Sequence, residues 1–169
     1  MGPGQVRRVR GKLDERGASA VEFALVVPIL LLLLFGIVDY GMWFNESLNV
    51  RQGVREAARA AVVQNVEEAG CTGSSVDRIV CKTRAEIDPM TGQAFVRVVV
   101  PATGWTRGAP LVVCGAVKVD GVTGLTPLPS DRMVRSATHM SIEKIDAFTI
   151  TPGSYGDAAP EGTDWEWCA

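Results

Sequence analysis

The chain has 169 residues, 47% of them hydrophobic, and a formal net charge of −2. That length suits one modest domain plus an anchor. The near-neutral total hides a gradient. The first 17 residues carry Arg7, Arg8, Arg10, Lys12 and Arg16 against Asp14 and Glu15, Phe23 to Val38 carries no charge, and the remainder is acidic. A basic head, an apolar block and an acidic body read as a membrane protein with its head in the cytoplasm. The basic cluster is short and has no interleaved aromatics, which argues against a nucleic-acid partner.

After this basic leader (residues 1–17) comes the apolar block. Its uncharged run covers about 24 Å at ~1.5 Å per helical residue, short of the ~30 Å of a bilayer core. Extension to Ala18 and Phe44 supplies the length, so a transmembrane helix is expected over 18–44. Glu22 and Asp39 then fall near the two interfaces, with Tyr40 and Trp43 in the outer interfacial zone. A cleavable secretory signal ends in small residues after its apolar core. Here "DYGMWFNES" follows, so the block is expected to stay with the protein. Pro28 is tolerable in a membrane helix when the freed backbone groups find other partners.

Helical spacing continues through "SLNVRQGVREAARAAVVQN". Leu48, Val54, Ala57, Ala58, Ala61 and Val62 form a narrow apolar stripe, and Arg51, Arg55, Glu56 and Arg59 lie largely off it. Gly53 weakens this helix by roughly 1 kcal/mol relative to Ala. The expectation is one long helix, or two collinear pieces, from about Ser19 to Val63. Residues 45–66 are its amphipathic continuation, ended by "EEAGCTGSS".

Residues 67–169 read as an extracytoplasmic domain. "VDRIVCKTRAEI" is ambiguous, with a short helix as one reading. Strands are predicted over 93–101, 110–121 and 132–145, the first half of the last being compatible with helix as well. "TPLPSD" is a loop, and the Gly/Pro-rich tail from Thr151 is expected to be irregular. The fold class is therefore α+β: a long N-terminal helix whose amphipathic second half packs on a small antiparallel sheet of three or four strands.

Cys71, Cys81, Cys114 and Cys168 all follow the apolar block. Outside the cell an even count suggests two disulfides, and four cysteines allow three pairings. Cys71–Cys81 as a local loop and Cys114–Cys168 as a staple for the tail are favoured. A zinc site is weaker, because there is no CxxC and His139 is the only histidine. No GxSxG, phosphate loop or HExxH occurs, so no enzyme, cofactor or metal is expected. His139 reads as an ordinary strand residue. Trp165 and Trp167 are either a binding patch or, as favoured, the means by which the tail packs on the sheet.

"RGASAVEFALVVPILLLLLFGIVDYG" resembles the N-terminal segment of TadE-like proteins, pseudopilins of the Tad (tight adherence) branch of type IV pilus systems. The matching features are Arg16-Gly17 followed by small residues, Glu22-Phe23, Pro28 and Asp39-Tyr40-Gly41. "VRQGVREAARAAVV" is similar to the helix that follows in that family, and "ATHMSIEK" faintly resembles its closing strand. The resemblance implies cleavage by a prepilin peptidase between Gly17 and Ala18, with Glu22 setting register between packed helices. The implied partners are other pilin-like subunits and the Tad assembly machinery, met through the N-terminal helix. Glu-Phe in place of the Glu-Tyr of the major pilins, and the large outer domain, imply a minor pilin or pseudopilin. The alternative is an uncleaved signal anchor carrying a disulfide-stapled binding module that uses Trp165 and Trp167. A membrane-tethered enzyme would need a pocket gathering His139 with serine or acidic residues.

Overall fold

The computed structural model describes residues 15–90, 92–121, 123–124 and 132–168. The leader residues 1–14 and the predicted "TPLPSD" loop lie outside the described residues. Among the described residues the order is α1 (Glu15–Val62), α2 (Ser75–Ile87), β1 (Ala94–Val100), β2 (Pro110–Lys118), β3 (Met133–Ser141), β4 (Gly153–Gly156) and a final 3-10 turn (Glu166–Cys168).

α1 is a single helix of 48 residues that runs through Pro28. At ~1.5 Å per residue it is about 72 Å long. It ends at Val62, one residue from the expected Val63. Gln64, at φ 60°, takes the left-handed position. Its N–H bonds the Ala61 carbonyl and Asn65 N–H bonds the Ala60 carbonyl, a Schellman closure with glutamine where glycine is usual. The free carbonyl of Val62 accepts from the N–H groups of Glu143 and Lys144, at 3.1 and 3.0 Å. The chain leaving β3 thus caps the helix.

The ambiguous segment is helix α2. Ser74 caps it reciprocally with Asp77: the Asp77 N–H donates to Ser74 Oγ and the Ser74 N–H to Asp77 Oδ2. This capping box satisfies two of the donors left over at a helix start. Val76, Ile79, Thr83 and Ile87 form its buried face.

The strands form one antiparallel sheet in the order β3-β2-β1-β4. β1 alternates, with Ala94, Val96, Val98 and Val100 buried against the helices. β2 is central and its interior residues are all buried, which is why "LVVCGAV" reads as a continuous apolar run. β3 is strand throughout, including the half compatible with helix. β4 corrects the expectation of a wholly irregular tail: "GSYG" pairs with Val100 to Arg97 of β1.

Both helices cover one sheet face, where Val50, Val54, Ala58, Ala61, Ile79 and Ile87 meet Val96, Val98, Leu111, Val113 and Val117. The buried stripe of α1 differs from the predicted one. Leu48 is 55% exposed, whereas Val50 is buried and Gly53 faces α2. Arg51, Arg55, Glu56 and Arg59 are exposed, as expected. The opposite sheet face is covered by the tail. Cys114 is joined to Cys168, and Val99, Trp165 and Trp167 pack against Val112 and these cysteines. Cys71 is joined to Cys81, tying the start of the post-helix segment to α2. The pairing is the one favoured from the sequence.

Candidate functional site: the bare helix and its exit

Two physical facts define the site. From Gly17 to Val38 the helix has no domain packed over its apolar side chains: Val21, Leu25, Ile29, Leu33 and Ile37 are all exposed, and Phe23 is 67% exposed. A contiguous apolar surface of that extent is far above the few hundred Å² a soluble monomer tolerates. The helix is long and apolar enough to cross a membrane.

The predicted processing and register residues Gly17, Ala18, Glu22 and Phe23 all lie on this bare stretch and are exposed. The structure brings them together only as neighbours on two helical turns. Ala18 and Glu22 are four residues apart, on one side of the helix. The Glu22 side chain is exposed on that side.

At the other end the domain takes hold of the helix abruptly. Asp39 is 2% exposed, covered by the domain at the end of the bare stretch. Its Oδ1 accepts from the Thr123 N–H at 3.1 Å and its Oδ2 from the Thr123 hydroxyl. Two further turns along one face stand Trp43, packed on the core, and Glu46, fully buried. Trp43, read as an interfacial aromatic, is thus partly a core residue, edge-on to Phe44 at 5.4 Å. Tyr40 and Phe44 remain exposed. Ala18 to Asp39 spans about 32 Å of helix, close to the ~30 Å of a hydrocarbon core. Neither Asp39 nor Glu46 was legible as a buried group. The only signal was their helical spacing, in phase with Val50, Val54 and Ala61.

The remaining candidates do not form a reaction centre. No group of three or more His, Cys, Asp or Glu that could hold a metal occurs among the described residues. His139 is exposed on β3 and lines a groove of about 480 Å³ with Arg51, Arg55 and Ser136. Ser136 and His139 lie on opposite faces of the strand by alternation, so the serine is not poised on the imidazole. Trp165 and Trp167 are half-buried, 5.2 Å apart, with the Trp167 indole N–H on the Asp164 carbonyl and the Arg135 guanidinium 6.0 Å from its ring. They hold the tail to the sheet.

The molecule is therefore an α+β domain built on the second half of a helix whose first half projects as a bare apolar rod. Residues 17–59 match the family model described as TadE-like protein. The likeness read from Arg16 to Gly41 is borne out over that segment, which ends just before the helix does. No curated protein and no solved structure matches the chain.

Proposed function

We propose that this chain is a membrane-anchored TadE-like minor pilin or pseudopilin that takes part in assembling a Tad-type pilus or a related secretion apparatus. Its N-terminus lies in the cytoplasm and its α+β domain outside the membrane. One coincidence carries the reading. The TadE-like match covers the bare rod and the first turns gripped by the domain, which is the part a packing subunit would present to its neighbours.

The mechanism is packing. The rod crosses the bilayer once and is extracted into, or stacks beside, a bundle of similar helices. Prepilin peptidase cuts between Gly17 and Ala18, leaving an α-amine at Ala18. A carboxylate in lipid costs ~2.5–3.5 kcal/mol at mid-helix, less with a cationic partner. The amine of a neighbouring subunit supplies that partner to Glu22, and their pairing sets the axial register of adjacent helices. The domain moves rigidly with the rod, because Asp39, Trp43 and Val50 are held by it on a continuous helix.

N-terminal sequencing and intact mass of the protein from its native membrane test this. A chain beginning at Ala18 supports it. A chain retaining residues 1–17 overturns the processing step and favours the uncleaved anchor with a binding domain.

A further inference from the structure

Strand β3 is one edge of the sheet. Its register with β2 is unbroken from Met133↔Lys118 to Ser141↔Pro110. Beyond the two ends, the Arg132 carbonyl accepts from the Val119 N–H at 2.8 Å and the Ile142 N–H donates to the Ala109 carbonyl at 2.9 Å. In an antiparallel ladder the hydrogen-bonded positions alternate, so the even-numbered residues of β3 face β2. Ala137, His139 and Ser141 consequently turn their N–H and C=O groups outward. Among the described residues these groups have no hydrogen-bond partner. Sheet edges are ordinarily blunted by a bulge, a proline or a covering segment, and this stretch of β3 has neither bulge nor proline.

Positive charge stands beside the edge at Arg51 and Arg55. Arg51, Arg55 and Arg59 recur every four residues on the exposed side of α1. None of them is in an ion pair among the described residues. Arg51 and Arg55 form one wall of the 480 Å³ groove whose other wall is Ser136 to His139. The arginines rise about 6 Å from one to the next, and same-face side chains of an extended strand repeat every ~6.7 Å. Guanidinium groups at that interval match carboxylates at alternate positions of an added strand, each able to take a paired hydrogen bond.

We propose that the β3 edge and the Arg51–Arg55 wall form a strand-addition site for an extended acidic segment of a partner protein. The main chain of the segment pairs with Ala137, His139 and Ser141. Its alternate acidic side chains lie on the two arginines. Backbone pairing supplies affinity and the side-chain wall supplies selectivity.

The test uses the full chain in detergent micelles and a blocked peptide of alternating glutamate and valine, read by fluorescence anisotropy and amide exchange. Expected are saturable binding and at least tenfold slower exchange at Ala137, His139 and Ser141. A peptide with lysine for glutamate, or one N-methylated on the pairing edge, binds at least tenfold more weakly. So does the glutamate peptide to the Arg51→Glu/Arg55→Glu chain, whose exposed substitutions leave the thermal melt in place. Ala137→Pro removes an outward donor without touching the β2 ladder, and it weakens binding equally. Absence of saturation up to millimolar peptide overturns the proposal. So does equal binding by the N-methylated peptide or by the double variant. Protection of the edge only by phosphatidylglycerol vesicles would also overturn it, assigning the arginines to lipid.

Discussion

The peptide group of Glu86 lies directly against Gly53: a Cβ placed on Gly53 would stand 2.6 Å from the Glu86 carbonyl oxygen and 2.7 Å from the Ile87 Cα. The glycine that weakens α1 as a helix is what lets α2 close onto it. Opposing effects decide Gly53→Ala. Helix propensity favours alanine by about 1 kcal/mol, while overpacking against rigid backbone costs about 1–3 kcal/mol. Net destabilisation is expected, read as a lower Tm of the domain. A raised Tm would mean that α2 shifts freely and the contact is slack.

The Asp39–Thr123 pair locks the domain to the rod at its exit. Asp39→Ala and Thr123→Val are each expected to cost roughly 1–3 kcal/mol, because each removes a hydrogen bond to a carboxylate. In a double-mutant cycle their coupling should be about 0.5–3 kcal/mol. Exchange at the residue-123 amide should rise in the Asp39→Ala variant, which removes its acceptor. Additive losses would show that the two residues act separately.

The two disulfides differ in loop size, with separations of 10 and 54 residues. On the chain-entropy account the shorter loop contributes about 2.5–3 kcal/mol and the longer about 4. The Cys114→Ser/Cys168→Ser chain should therefore lose more stability than Cys71→Ser/Cys81→Ser. It should also become cleavable by limited proteolysis near Gly162, since Trp165 and Trp167 would lose their anchor.

Asp77 adds a pH dependence. The Ser74 side chain, and then its backbone N–H, hold the Asp77 carboxyl below its usual value. A lowered folded-state value means that this contribution is present above the ordinary carboxylate range and is lost as pH falls through the lowered value. Ser74→Ala should flatten the acid limb of the Tm profile, below the ordinary carboxylate range, relative to the parent. Lys82 works in the other direction. Its bond to Glu86, 2.8 Å, is the main cause that raises its value, with Glu68 adding to it. That contribution is complete below the ordinary lysine value and disappears as pH rises through the raised one.

Within the proposed function, Glu22→Ala should leave membrane insertion unchanged and weaken assembly of the subunit with its neighbours, scored by co-purification from the membrane. Assembly equal to that of the parent would remove the register role from Glu22.

The tertiary structure reinterprets particular residues. Leu48 obeys the helical period that a sequence scan follows, yet it points to solvent, because the domain docks on the face marked by Val50, Gly53 and Ala57. Helical periodicity says that a helix has a face, but the partner decides which one when two faces are nearly as apolar. Asp39 reads as an interfacial charge, and its hydrogen bonds are not foreseen, since nothing local to Asp39 announces Thr123, 84 residues away.

The sequence by itself determined the long helix, its apolar first half, strands β1 and β2 and the TadE-like segment, because each is written in the periodicity, composition or motif of adjacent residues. Two pairs of cysteines, one close and one distant, also made the observed disulfides the favoured choice. Tertiary structure alone decided β4, whose "GSYG" has little strand propensity and becomes a strand by pairing with β1. It likewise decided the Gln64 stop of α1, the burial of Asp39 and the open edge of β3. Those features depend on contacts between residues far apart in the chain, and neighbouring residues do not encode the energies of such contacts.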